Sequence, residues 1–147
     1  MDNNNYPDEL LRGIPNKREC LDGEGRVRQS LFLFSEKPRE DDRYFEVSIN
    51  WRDDEGALPV LLNQRVKDKD DEFQFKAGVA VISKKELDIL IKKPMSSGEL
   101  SYERRRLPEN HYHGNIICKT ESKERQKLFR ANLVMCVVEV IERQDSL

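Results

Sequence analysis

The octapeptide YFEVSINW, residues 44–51, sets Phe45, Val47, Ile49 and Trp51 on one side and Tyr44, Glu46, Ser48 and Asn50 on the other. A period of two is that of a pleated strand with one face buried. Such a strand is not stable alone. It needs strands beside it and a second layer over its apolar face. The rest of the chain can therefore be searched for partners.

Four further stretches suit extended chain. RVRQSLFLF predicts a strand entering the core at Leu31–Phe34, and FQFKAGVAVI, residues 73–82, predicts a buried one. Shorter strands are expected near 100–104 and from His113 to Lys119. The β-branched run at 137–141 fits either a final strand or the end of a helix. Asp22–Gly25 is a turn, and residues 35–43 and 67–72 read as charged, solvated loops.

Elsewhere the period changes to that of a helix. Leu58, Leu61, Leu62 and Val66 share one helical face, with Pro59 tolerable in the first turn and Asp53–Glu55 ahead of it. Ser83 and Glu86 form an S-x-x-E capping box over a helix striped by Leu87, Leu90 and Ile91, which Pro94 helps to stop. Another helix opens at Ser122. At 147 residues the chain has the size of one domain. The expected fold is mixed α+β: a small, mainly antiparallel sheet of about five strands packed by about three helices. It would occupy residues 13–147, behind a flexible N-terminal tail at 1–12 whose asparagines, proline and acids offer little to bury.

The formal net charge of -2 hides an asymmetry: residues 1–75 hold 12 basic against 18 acidic side chains, and residues 76–147 hold 14 against 10. A globally basic nucleic-acid binder is disfavoured, while a local basic surface in the second half stays open. Cys20, Cys118 and Cys136 form neither a disulfide framework nor a C-x-x-C pair. With no signal peptide and no 18-residue apolar run, the expectation is a cytoplasmic protein with reduced thiols and no membrane segment.

ENHYHGN, residues 109–115, carries both histidines of the chain. In extended chain His111 and His113 would project from one face, roughly 6.5–7 Å apart. Such a pair can act as acid and base or flank a phosphate. Metal binding would need a third ligand, for which only Cys118 or Asp53–Glu55 offer themselves, so neither a metal nor another cofactor is expected. The alternative is a turn made by Pro108, Asn110 and Gly114, with the histidines at its rim and Tyr112 packed inward. Nearby lie Arg104, Arg105 and Arg106, and Lys123, Lys127 and Arg130 share a helix face. Together they form a candidate phosphate or nucleic-acid surface, or else simply a solvated one.

INWRDDEGAL, FKAGVAVISKKELDIL and LPENHYHGNIICK, in that order, make the chain resemble a group of small uncharacterised bacterial proteins. Their shared turn, Leu-Pro-x-Asn-x-x-His-Gly, would correspond here to Leu107, Pro108, Asn110, His113 and Gly114. The resemblance implies a bacterial, single-domain protein and favours His113 over His111, with no activity attached. The functional expectation is a non-catalytic accessory, regulatory or immunity-type protein that binds a protein partner. The alternative is an RNA- or nucleotide-phosphate-binding protein or hydrolase using His111 or His113 beside the basic residues.

Overall fold

The computed structural model describes residues 6–143 and has a mixed α+β fold. Eight strands are present: β1 (Glu9–Ile14), β2 (Phe45–Trp51), β3 (Arg65–Val66), β4 (Lys69–Phe73), β5 (Gly78–Ser83), β6 (Leu100–Arg104), β7 (His113–Cys118) and β8 (Val137–Glu142). Six of them form one antiparallel sheet in the order β6-β7-β2-β1-β5-β8, while β3 and β4 make a separate hairpin. The helices are α1 (Lys17–Cys20), α2 (Ala57–Leu62), α3 (Lys84–Lys92) and α4 (Lys123–Val134). None is long and apolar enough to cross a membrane among the described residues.

The alternation in β2 is realised. Phe45, Val47, Ile49 and Trp51 enter the main core with Leu10, Ile14, Ala80, Ile82, Leu100, Ile116 and Cys118, covered by Leu87 and Leu90 of α3 and Phe129 and Leu133 of α4. The opposite face carries a smaller core, in which Ala57 and Leu61 of α2 and Phe75 pack on Leu11, Val79 and Val81. Both long helices begin where their caps dictate. Ser83 accepts from Glu86 N at 3.2 Å, and Ser122 accepts from Arg125 N at 3.2 Å.

Five expectations are corrected. The boundary of the tail at residue 12 is wrong for residues 9–12, which belong to β1, a central strand paired on both sides; residues 1–5 of that tail lie outside the described residues. Leu10 and Leu11 are both buried because the two faces of the sheet are both covered there, so no alternation announces the strand. Residues 29–32 form a 3-10 turn instead of a strand, burying Leu31 and Phe32 and leaving Leu33 57% exposed. Residues 67–72 are no plain loop: Asp68, at φ 66, closes the exposed β3–β4 hairpin. The α2 face ends at Leu62, so Val66 lies in β3. The ambiguous run at 137–141 is strand β8, and the sheet has six strands where about five were expected.

Gly114 marks a tight crossing of the sheet. A Cβ there would lie 2.3 Å from Trp51 Nε1 and 2.4 Å from the Glu103 carbonyl oxygen. Gly114→Ala should therefore cost about 3 kcal/mol, the upper range for overpacking. The check is a lowered urea midpoint at unchanged slope. Gly23→Ala, at a site with nothing within 4 Å, should shift stability by less than about 0.5 kcal/mol.

Candidate functional site

The turn at 107–112 is built by hydrogen bonds that its own residues supply. Leu107 and Asn110 exchange backbone bonds at 3.1 and 3.0 Å, and His113 N donates to Asn110 O at 3.2 Å. The Asn110 amide donates to Asn50 Oδ1 at 2.8 Å, while its own Oδ1 accepts from Tyr112 N. Trp51 N donates to Tyr112 O at 2.7 Å, which ties the turn to the end of β2. Pro108, Asn110 and Gly114 thus shape a turn into a strand, with Tyr112 packed inward.

The two histidines separate. His111 is exposed and lies against the Tyr112 ring at 4.1 Å between centroids. His113 is half-buried at the start of β7, and its Nδ1 sits 2.9 Å from the Arg105 carbonyl oxygen. Donation to that carbonyl fixes Nδ1–H and leaves Nε2 as the free ring nitrogen. His113 lines a cavity, and His111 does not.

The basic residues are likewise divided. Arg104 grips Asp53 with both terminal nitrogens, at 2.7 and 2.9 Å, while lying over Tyr6 and Trp51. Arg105 reaches Glu103 at 3.8 Å, and Arg106 donates to the His111 carbonyl. Lys123, Lys127 and Arg130 belong to α4, which packs on the sheet face of Ile116 and Cys118. His113 shares the other face with Asn115, since alternate residues of a strand point oppositely. The histidine turn and the basic helix face are therefore not brought together. Cys118, one proposed third metal ligand, points into the core away from His113. Among the described residues no three His, Cys, Asp or Glu side chains are grouped to hold a metal.

Asp54 meets the turn from the segment before α2. It accepts from the Tyr112 hydroxyl at 2.6 Å and from Gly56 N at 2.8 Å. The Tyr112 bond, aided by the Gly56 amide, holds the Asp54 carboxyl below the ordinary carboxylate range and pushes the phenol up. These pairs anchor the turn to the segment before α2.

The cavity, of about 530 Å³, lies on the α2 face. Gly13, Ser48 and Asn50 contribute its floor, α2 provides Val60 and Leu61 with Gln64 just after it, Phe75 also lines it, the turn supplies Leu107 and Asn110, and β7 supplies His113. Arg12 also lines it. Sequence reasoning missed Arg12 by assigning it to a tail. The available signal was one arginine inside the apolar run LLRGI, where a charge is costly unless used. Burial lowers the Arg12 guanidinium to about 10, so it stays cationic at neutral pH. All three cysteines are buried free thiols, and burial raises each, Cys136 to about 11.

Set against protein-family models, curated proteins and solved structures, the chain matches none.

Because the folded value of Asp54 is depressed, its contribution to stability is present above the unfolded carboxylate value, near 3.9, and lost as pH falls through the folded one. Tyr112→Phe should move the Asp54 titration up towards the ordinary range. Gly56 N keeps it from arriving there. Carboxyl-carbon NMR titration checks this, and an unmoved midpoint would refute the Tyr112 assignment.

Proposed function

We propose that the chain is a small non-catalytic protein, a cytoplasmic accessory, regulatory or immunity-type component of bacterial origin, that acts by binding a protein partner. The observation that carries the reading is the free edge of the sheet at β8. Its outer side has no strand beside it among the described residues. Such an edge offers a row of backbone donors and acceptors to an added strand. Beside it lies an apolar groove of about 480 Å³ bordered by Val27, Val134, Met135, Val138 and Val140. Met135 is 77% exposed and Val138 56%. Leu128, 41% exposed, precedes Met135 by seven residues and continues the same side of α4. An extended segment of a partner protein would add to β8 and seat alternate apolar side chains in the groove.

The paired state of the turn supports a binding role over a catalytic one. Asp53, Asp54, Arg104 and the Nδ1 of His113 are each engaged in holding the turn. The alternative, an RNA- or nucleotide-phosphate-binding protein or hydrolase, has less support, because His113 and the α4 cations lie on opposite faces of the sheet.

Val138→Lys tests the reading, since an exposed substitution should alter stability by less than about 0.5 kcal/mol. A protein captured by tagged wild-type chain should bind the variant at least about tenfold more weakly, as expected when a charge enters an apolar seat. Equal capture by both forms overturns it. So does light scattering that shows a dimer abolished by the substitution, which would give the edge to a second copy.

A further inference from the structure

Arg12 occupies an unusual position. β1 pairs with β2 only at Leu10–Trp51 and Leu11–Asn50. Beyond those residues the guanidinium takes over from the ladder: Nη1 donates to the Ser48 carbonyl at 2.9 Å and Nε to the Leu31 carbonyl at 3.0 Å. Two backbone oxygens thus fix the plane of the group and leave Nη2 with both of its N–H bonds undirected within the fold. Several other half-buried arginines meet carboxylates: Arg39 meets Asp42, Glu46 and Glu103, Arg52 meets Glu9, Arg104 meets Asp53, and Arg125 meets Glu99, whereas Arg143, like Arg12, donates to backbone carbonyls. Among the described residues Arg12 meets none. Arg12 is half-buried and has no counter-ion, and its planar fork suits an oxyanion.

The surroundings fit a ligand larger than a bare ion. A cavity of about 530 Å³ is of the size that takes a small molecule. Its walls are apolar at Leu61 and Phe75 and polar at Ser48, Asn110 and His113. Phe75 is held against the backbone of β1: a Cβ on Gly13 would lie 2.3 Å from its ring, so glycine is what lets the ring form this wall. Glu109 is exposed on the lining of the turn and disfavours a second negative charge at that end.

We propose that this cavity binds a small organic anion, with its single carboxylate or phosphate group on the Arg12 guanidinium and its apolar body between Leu61 and Phe75. The site is separate from the β8 edge and does not rest on the partner-binding reading.

The test is a titration of isotopically labelled protein with phenylacetate, phenyl phosphate and the neutral phenylacetamide, followed by amide NMR shifts. One of the two anions should saturably shift Gly13, Ser48 and Gln64, and whichever binds more tightly tells carboxylate from phosphate. Phenylacetamide should bind at least about tenfold more weakly, the scale of one charged hydrogen bond. Arg12→Gln should weaken the anion by a similar factor. Val60→Trp, at an exposed residue of α2 that lines the cavity, should block binding while leaving Arg12 in place, and so decides the matter even if Arg12→Gln fails to fold. Binding of the amide equal to that of the anions, binding unchanged in Val60→Trp, or no saturable shift from either anion overturns the proposal.

Discussion

Trp51, fully buried at the end of β2, lies across the Cα of Gly114 in β7 and donates its indole N–H to the Glu103 carbonyl of β6 at 3.1 Å. One side chain therefore ties three strands, and any side chain at position 114 would lift it off. Tyr6 and Tyr102 close around the indole with ring centroids at 4.6 and 5.3 Å, and the Arg104 guanidinium lies 5.8 Å from it. Edge-to-face and cation–π contacts of this kind favour one arrangement of the rings over others. With the indole in place, the Trp51 backbone amide donates to the Tyr112 carbonyl, and the 107–112 turn hangs from β2. The reach of Asn110 to Asn50, and the position of His113 at the cavity, follow from that suspension.

Charge is used in two ways around this frame. At the turn, acids and bases are closed upon one another, and a bidentate pair such as Arg104 with Asp53 is a strong fastener because both hydrogen bonds are charge-assisted. A second closed cluster surrounds Arg39, where Asp42, Glu46 and Glu103 converge, and Asp42 and Glu103 raise its affinity for its proton. An acid of the acidic first half and a base of the basic second half meet directly in Arg104 with Asp53. Arg12 and Arg143 instead donate to neutral backbone carbonyl oxygens.

What could be read in advance was whatever a short window encodes. The period of two in β2, the capping residues Ser83 and Ser122, and the stop at Pro94 are local signals, and each lies where the backbone needs it. β1 was illegible because its pairing partners lie far along the chain and both its faces are covered, which removes the alternation that identifies a half-buried strand. The β3–β4 hairpin is so exposed that hydrophobic pattern had nothing to mark. Of the candidate site, His113 at a turn before a strand was legible from Pro108 and Gly114. Its separation from Lys123, Lys127 and Arg130 was not, because which face a helix covers is decided by the sheet as a whole. The role of Arg12 depends on Leu31 and Ser48, residues 19 and 36 positions away, and no local pattern carries that.

The Phe73 ring of the β3–β4 hairpin is sandwiched by two guanidinium groups, Arg65 at 3.8 Å and Arg143 at 3.9 Å. Arg143 also donates to the carbonyls of Leu62, at the end of α2, and Phe75. The elements that wall the cavity on this side are thus clasped by a residue that follows β8. During synthesis the floor, residues 11–50, leaves the ribosome long before that clasp exists. The wall gains its fixed position only after Arg143 has emerged and β8 has joined β5. Completion of the cavity therefore follows translation of nearly the whole described chain, and nascent fragments lacking residue 143 would present the floor with its wall unfastened.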